Sequence, residues 1–474
     1  MAQDSIWQES ALTQVAAILS KERSCVETVA SSVDRMRATN PRLNAVVDDL
    51  GEEALQEAER LDHVLSESGP VGPLHGVPIT IKENVDQKGR ATPNGVPAYR
   101  DVIAPDDAPL VRNLRGAGAV IIGRTNTPEF SFRATTDNPL HGRTLNPWDE
   151  TLSPGGSSGG ASSAVMAGMG SIAHGNDIGG SLRYPAAATG ACTVKPGLGR
   201  VPAWNPSQKA ERGLLAQIMS VQGVVCREVR DVRLAMQALV RYDPHDPWMV
   251  PMPWEQPTPE RPIRVAFTRN TYEFDIDPAV DAALTHACDC LVDAGYEVVE
   301  ADMPELRECA RDGSRALFGE VRAMLGGEIE THGSETLKRI FADYYGIFEP
   351  PSGTELLKVM AQRNHYHRNF NLFFQDYPLV LTPFLPTPTY AWDRDAQGED
   401  GVREVLEAGM YSIAFNYTGL PAGNVPASYN DGKPIGVQVV GPRFREDMIL
   451  DACEAIETRT GVMAHKLFER EAQT

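Results

Sequence analysis

A chain of 474 residues, 42% hydrophobic and 23% charged, is long enough to bury a large core and has the make-up of a globular protein in water. Its net charge of −20 and pI of about 5.0 argue against unaided binding to nucleic acid or to an anionic membrane surface. No apolar run reaches the roughly 18 residues that a bilayer span needs. Seven scattered cysteines, an odd number, suit reduced thiols better than a disulfide framework. The stretch Met1–Trp7 has neither a basic n-region nor an apolar h-region, so no secretion signal is expected and a cytoplasmic location is.

In chain order, residues 1–70 read as helices. Ser24-Cys25-Val26-Glu27 is a capping box, followed by Val26, Val29, Val33 and Met36 at helical spacing. Residues 51–67 form a second amphipathic candidate, closed by Gly69-Pro70-Val71-Gly72-Pro73. Alternation along Val77, Ile79 and Ile81 then predicts a strand over 77–82, with Lys82 at its C-terminal end. A helix over 107–116, a strand over 119–122 and helices after each of two glycine clusters continue an α/β alternation. Between Pro244 and Pro262 stand 7 prolines in 19 residues, a stiff surface connection better read as a loop crossing the sheet edge than as a hinge. Strands over 263–267 and 296–301 flank a helix over 278–294, residues 304–372 read as mostly helical, and strands near 378–382 and 435–440 close the pattern.

The chemistry concentrates between Ser153 and Pro196. From Gly155 to Gly190, 36 residues hold 10 glycines, where average usage gives about 2–3. They cluster as Gly155-Gly156-Ser157-Ser158-Gly159-Gly160 and Gly179-Gly180-Ser181, each placing a hydroxyl on backbone free of side chains. That is raw material for a nucleophile beside N–H donors for an oxyanion. A serine needs a base. His174 lies within the stretch. Lys82 is the other candidate, because a lysine among apolar neighbours loses hydration of its charged form and can act neutral. Ser157 also fits a G-x-S-x-G elbow, but Pro147–Pro154 makes a poor preceding strand and His465 is the only far C-terminal histidine. Alone, Ser181 would read as a helix N-cap. His365-Tyr366-His367 and Cys288-Asp289-Cys290 have poor spacing for zinc, and no metal is expected.

Together, GVPITIKEN around Lys82, NPW, PGGSSGG around Ser157 and DIGGSLRYPAA around Ser181 resemble the amidase signature family of serine hydrolases. The spacings of 75 residues from Lys82 to Ser157 and 24 from Ser157 to Ser181 suit that family. The similarity is strongest over 74–202, runs through Ala117–Phe130, and returns at Gly419–Ala422 and Pro434–Gln438. It implies one large α/β domain over 1–474, a mixed central sheet covered by helices on both faces, with a variable, mostly helical entrance region at 304–400. It also implies a Lys82–Ser157–Ser181 triad. Ser181 would attack, Ser157 would bridge to Lys82 after a cis peptide bond, and the backbone N–H groups of Ile178, Gly179 and Gly180 would hold the oxyanion. Alignment with the motif places Ser131, Arg133 and Asn176 near the acyl or leaving group. Three positions depart from the family pattern: Glu83 where aspartate is common, Asn176 where threonine is, and Gly197 where KPT is.

The implied activity is hydrolysis of a small apolar acyl or aryl amide through an acyl-enzyme on Ser181, with ester or carbamate cleavage as a side activity. Neither cofactor nor metal, nucleic acid nor membrane is implied, and a homodimer is left open. Residues 304–400 supply apolar candidates for the pocket: Leu317, Phe318, Met324, Leu325, Phe341, Tyr344, Tyr345 and Phe348. The alternative is the glutaminase-like subunit of a transfer-RNA-dependent amidotransferase. The serine-rich stretch associated with that branch is replaced here by Leu214–Ser220. With all three triad residues present, a catalytically dead scaffold is disfavoured.

Overall fold

The computed structural model describes residues 3–257 and 259–473. Met1 and Ala2 of the N-terminal stretch, Thr258 of the proline-rich segment and Thr474 lie outside the described residues.

Short β-branched runs assemble eleven strands: β1 Val46–Asp49, β2 Pro78–Lys82, β3 Val120–Thr125, β4 Ile172–Asp177, β5 Cys192–Lys195, β6 Val221–Cys226, β7 Arg264–Phe267, β8 Glu297–Glu300, β9 Leu379–Pro383, β10 Ala422–Asn430 and β11 Lys433–Val440. They join in one sheet in the order β1-β3-β2-β4-β6-β5-β10-β11-β9-β7-β8. Pairs β3·β2·β4 and β9·β7·β8 are parallel, and the pairs between and at the β1 edge are antiparallel. The sheet is therefore mixed, in a single large α/β domain.

Period-two alternation sorts the side chains between two layers. Ile79, Ile81, Ile121, Val265, Val437 and Leu381 face one apolar core with the helices Pro109–Gly116, Val229–Leu239, Pro278–Asp293 and Glu446–Thr460. On the other face, Val120 and Ile122 meet Cys25–Leu43 and Gly51–Ser68, while Ala266, Val380 and Val440 meet Leu306–Met324 and Met410–Thr418. Ser24 caps Cys25–Leu43 with the reciprocal Glu27 bond of a capping box.

One expectation needs correction. The first 70 residues are not all helical, since β1 interrupts them. Four residues are too few for a periodic signal, and β1 exists because β3 offers it an antiparallel edge. The proline-rich segment is irregular but anchored: the buried Arg200 guanidinium donates to the carbonyls of Met252, Pro253 and Trp254 at 2.9–3.1 Å.

Candidate active site

Lys82 ends β2 on the face opposite Ile79 and Ile81, toward the helix Gly159–Met166. Its ammonium is fully buried, and Nζ lies 2.7 Å from Ser157 Oγ, 2.9 Å from Asn176 Oδ1 and 3.2 Å from Ser158 Oγ. Burial draws its pKa down to about 7, against the opposing pull of the Asp177 and Glu83 charges. A neutral amine here keeps two N–H bonds and turns a lone pair to a serine hydroxyl. It can accept a proton.

Ser157 follows a cis Gly156–Ser157 peptide. Gly156 has no room for a side chain, because a Cβ would stand 2.3 Å from the Arg133 carbonyl oxygen. Ser158 N–H donates to the Ser181 carbonyl at 3.2 Å, which fastens one glycine cluster to the other. Ser181 sits in the turn between β4 and the helix Arg183–Thr189; the helix cap is Leu182, so Ser181 is not spent on capping. Its hydroxyl bonds to no described residue, and with Ser157 it lines one cavity.

Asp177 shapes that turn. Its Oδ1 accepts from Gly180 N–H at 2.7 Å and Oδ2 from Leu182 N–H at 3.1 Å, while Arg183 Nε and Nη2 each reach it at 3.1 Å. Burial would raise the Asp177 pKa, but the charge and hydrogen bonds of Arg183, with Lys195 and Asn416, outweigh it and hold the carboxyl at about 2. Gly180 has φ +118, and a Cβ there would meet Ser412 Oγ at 2.3 Å and the Tyr184 ring at 2.5 Å. Of the three N–H groups expected to face an oxyanion, one is engaged within the protein. Gly180 N–H is committed to Asp177, and the donors left without a described partner are Ile178, Gly179 and Ser181.

The other expected residues are distributed as follows. Asn176 touches Lys82 through Oδ1, and its amide donates to Asn84 Oδ1 at 2.9 Å. Ser131 Oγ accepts from Asn84 Nδ2 at 3.0 Å, donates to Asn94 Oδ1 at 2.6 Å and borders both cavities at Ser181. Arg133 borders the first cavity, but its guanidinium is ion-paired to Asp395 at 2.8 Å and to Asp393. That pairing commits it within the protein. Neither histidine near the motifs meets the serines: His75 Nδ1 accepts from Val71 N–H, and His174 Nε2 lies 3.1 Å from Gln222 Oε1, with burial pushing its pKa down to about 3. His365 pairs with Glu305, and among the described residues no three His, Cys, Asp or Glu side chains group as metal ligands.

Two cavities meet at Ser181. The first, about 600 Å³, is walled by Phe132, Ile178, Leu317, Phe318, Tyr344 and Phe348. The second, about 1660 Å³ and open to solvent, carries Ser157, Asn176, Met324 and Leu325. Phe341 and Tyr345, expected in the pocket, border neither; Phe341 packs edge-on to Phe318 from behind, and Tyr345 packs on Phe341. Residues that the motifs did not single out also build the site: Ser158, Asn84, Asp177 and Asn416. Asp177, one residue removed from Gly179-Gly180-Ser181 by Ile178, was the one local signal for the last group.

The Amidase family matches residues 27–450. The chain belongs to the amidase family. It is 50% identical to an indoleacetamide hydrolase of Bradyrhizobium diazoefficiens over 465 residues, 98% of this chain and 89% of that one. A glutamyl-tRNA(Gln) amidotransferase subunit of Heliobacterium modesticaldum is more distant, 30% identical over 94% of this chain and 95% of its own length. Among solved structures, a bacterial aryl acylamidase of the amidase signature family superimposes with a TM-score of 0.83 at 26% identity, covering 98% of this chain and 99% of the other. The enzyme is an amidase that hydrolyses carbon–nitrogen bonds of amides.

Proposed function

We propose that the enzyme hydrolyses a neutral arylacetamide, an aromatic ring one methylene from a primary amide, to the arylacetate and ammonia. The observation that carries this reading is the apolar, aromatic-walled cavity beside Ser181. The one charged side chain on its wall, Arg133, is already neutralised by Asp393 and Asp395. Burying a flat apolar ring there gains about 25 cal/mol per Å², whereas the α-ammonium and α-carboxylate of glutamine would enter it unpaired. The 50% identity to an indoleacetamide hydrolase supports an indole ring as the aryl group.

In this reading Ser181 Oγ attacks the carbonyl carbon while its proton passes to Ser157 and the Ser157 proton to neutral Lys82. The oxygen anion falls among the free N–H groups of Ile178, Gly179 and Ser181, where each donor is worth about 10²–10³ in rate. The C–N bond then breaks, the nitrogen takes a proton back through Ser157, and ammonia leaves an acyl ester on Ser181. Water attacks that ester by the same relay in reverse. The enzyme acts alone in the cytoplasm, and esters or carbamates that fit are cleaved as side substrates.

The test is steady-state kinetics of the isolated chain on indole-3-acetamide and on glutamine, read as ammonia release. The indole amide is expected to lead in kcat/KM by about 100-fold or more, the usual scale when charged groups meet an apolar site. A preference for glutamine, or no cleavage until a partner protein is added, would overturn the reading and favour the amidotransferase role.

A further inference from the structure

The second cavity is far larger than departing ammonia requires. Ser157, which in the proposed function returns the proton to the leaving nitrogen, lines this cavity and not the first. The amine half of an amide held at Ser181 therefore opens into it, with the acyl half in the aromatic cavity.

Arg212 lines this second cavity with Trp204, Asn205 and Gln208, on the segment that joins β5 to the helix Leu214–Met219. Its side chain is accessible from the cavity and makes no ion pair or hydrogen bond with a described residue. The carboxylates bordering the same space are engaged elsewhere. Both oxygens of Glu320 accept backbone N–H bonds, from Leu215 and Ala216 at 2.8 Å each, and Glu211 accepts from Gln208 Nε2 at 3.3 Å. Surrounding protein lowers the Arg212 pKa, and Glu320 raises it in part. An arginine stays charged through such shifts. Among the described residues it is the unpaired cation on the leaving-group side of Ser181, with a fork of donors suited to a carboxylate.

We infer that the enzyme also cleaves N-(arylacetyl) amino acids, amides whose amine half carries a carboxylate, and that Arg212 binds that carboxylate. The inference rests on the proposed function for the acyl half. The chemistry balances as before: the Ser181 Oγ–carbon bond forms, the C–N bond breaks, and the nitrogen takes its proton through Ser157. The free amino acid departs, and water then splits the ester to arylacetate.

The experiment compares kcat/KM of the full chain on N-(indol-3-ylacetyl)glycine and on its neutral counterpart, N-(indol-3-ylacetyl)propylamine. The acid is expected to lead by about tenfold to a hundredfold, the scale of one hydrogen-bonded charge pair. Arg212→Gln should erase that ratio and Arg212→Lys should keep part of it. Should the glutamine variant fail to fold, raising ionic strength on the native enzyme should compress the ratio, since this cavity is open to solvent. No cleavage of the acid, a lead for the propylamide, or a ratio indifferent to both Arg212→Gln and salt would overturn the inference. If indole-3-acetamide is cleaved and the glycine conjugate is not, the proposed function stands and only this inference falls. If neither is cleaved, the proposed function falls with it.

Discussion

Ser181→Ala is expected to lower kcat/KM on indole-3-acetamide by about 10⁴-fold or more, the scale seen when a serine nucleophile is deleted from a triad. The fold should not notice. Ser181 Oγ bonds to no described residue and faces a cavity, so its loss should change stability by no more than about 0.5 kcal/mol. Thermal melting of the purified variant separates the two effects: an unchanged Tm with lost turnover is the expected result. Retention of more than a few per cent of turnover would remove Ser181 from the chemistry. Adding Ser157→Ala to the variant should cost little more, because the residues act as one proton path.

The second large effect concerns Lys82. In the proposed mechanism Lys82→Ala removes the base that serves Ser157, and it is expected to cost a similar factor. The active form of Lys82 in that mechanism is the neutral one, so kcat/KM should climb tenfold per pH unit below a pKa of about 7 and level off above it. The same shift has a consequence for stability. Between about 7 and the ordinary lysine value near 10.4 the unfolded chain binds the extra proton. The Lys82 contribution to stability is therefore complete above the higher value and is lost as pH falls through the lower one. A pH–rate profile that is flat from pH 6 to 9, or that falls as pH rises through 7, would contradict a lysine base.

How much of this was legible in the chain depends on whether the cause was local. The alternation of Ile79 and Ile81 is a local signal. It placed Lys82 at the end of β2, with the strand starting one residue later than read. The resemblance to the amidase signature motifs implied that Ser157 and Ser181 share a site, and both line one cavity. By contrast β4, which carries Asn176 and Asp177, reads Ile-Ala-His-Gly-Asn-Asp, with little β-propensity of its own. It is a strand because β2 and β6 pair with it on either side. The commitment of Gly180 N–H to Asp177 was equally hidden. It depends on Arg183 being held by Gln438 at 2.9 Å and on Asn416 donating to Asp177 at 2.8 Å, contacts more than two hundred residues apart in sequence. Arg133 fell near the site, as its motif position implied, but its two partners at 393 and 395 lie in a segment without a motif. Phe341 and Tyr345 were right in character and wrong in reach: helix Glu335–Phe348 turns Tyr344 and Phe348 to the cavity and leaves the other two behind them.

The central claim, an acyl-enzyme on Ser181, can be tested by trapping it. The native enzyme is mixed with the p-nitrophenyl ester of indole-3-acetic acid, whose good leaving group makes hydrolysis of the ester on the enzyme the slow step, and is quenched in acid within the first turnovers. Intact-mass and peptide analysis should find one indol-3-ylacetyl group added to the protein, on the peptide containing Ser181, and none in Ser181→Ala. An adduct confined to Ser157 or to another residue, or turnover with a burst of p-nitrophenol but no covalent adduct, would contradict the account.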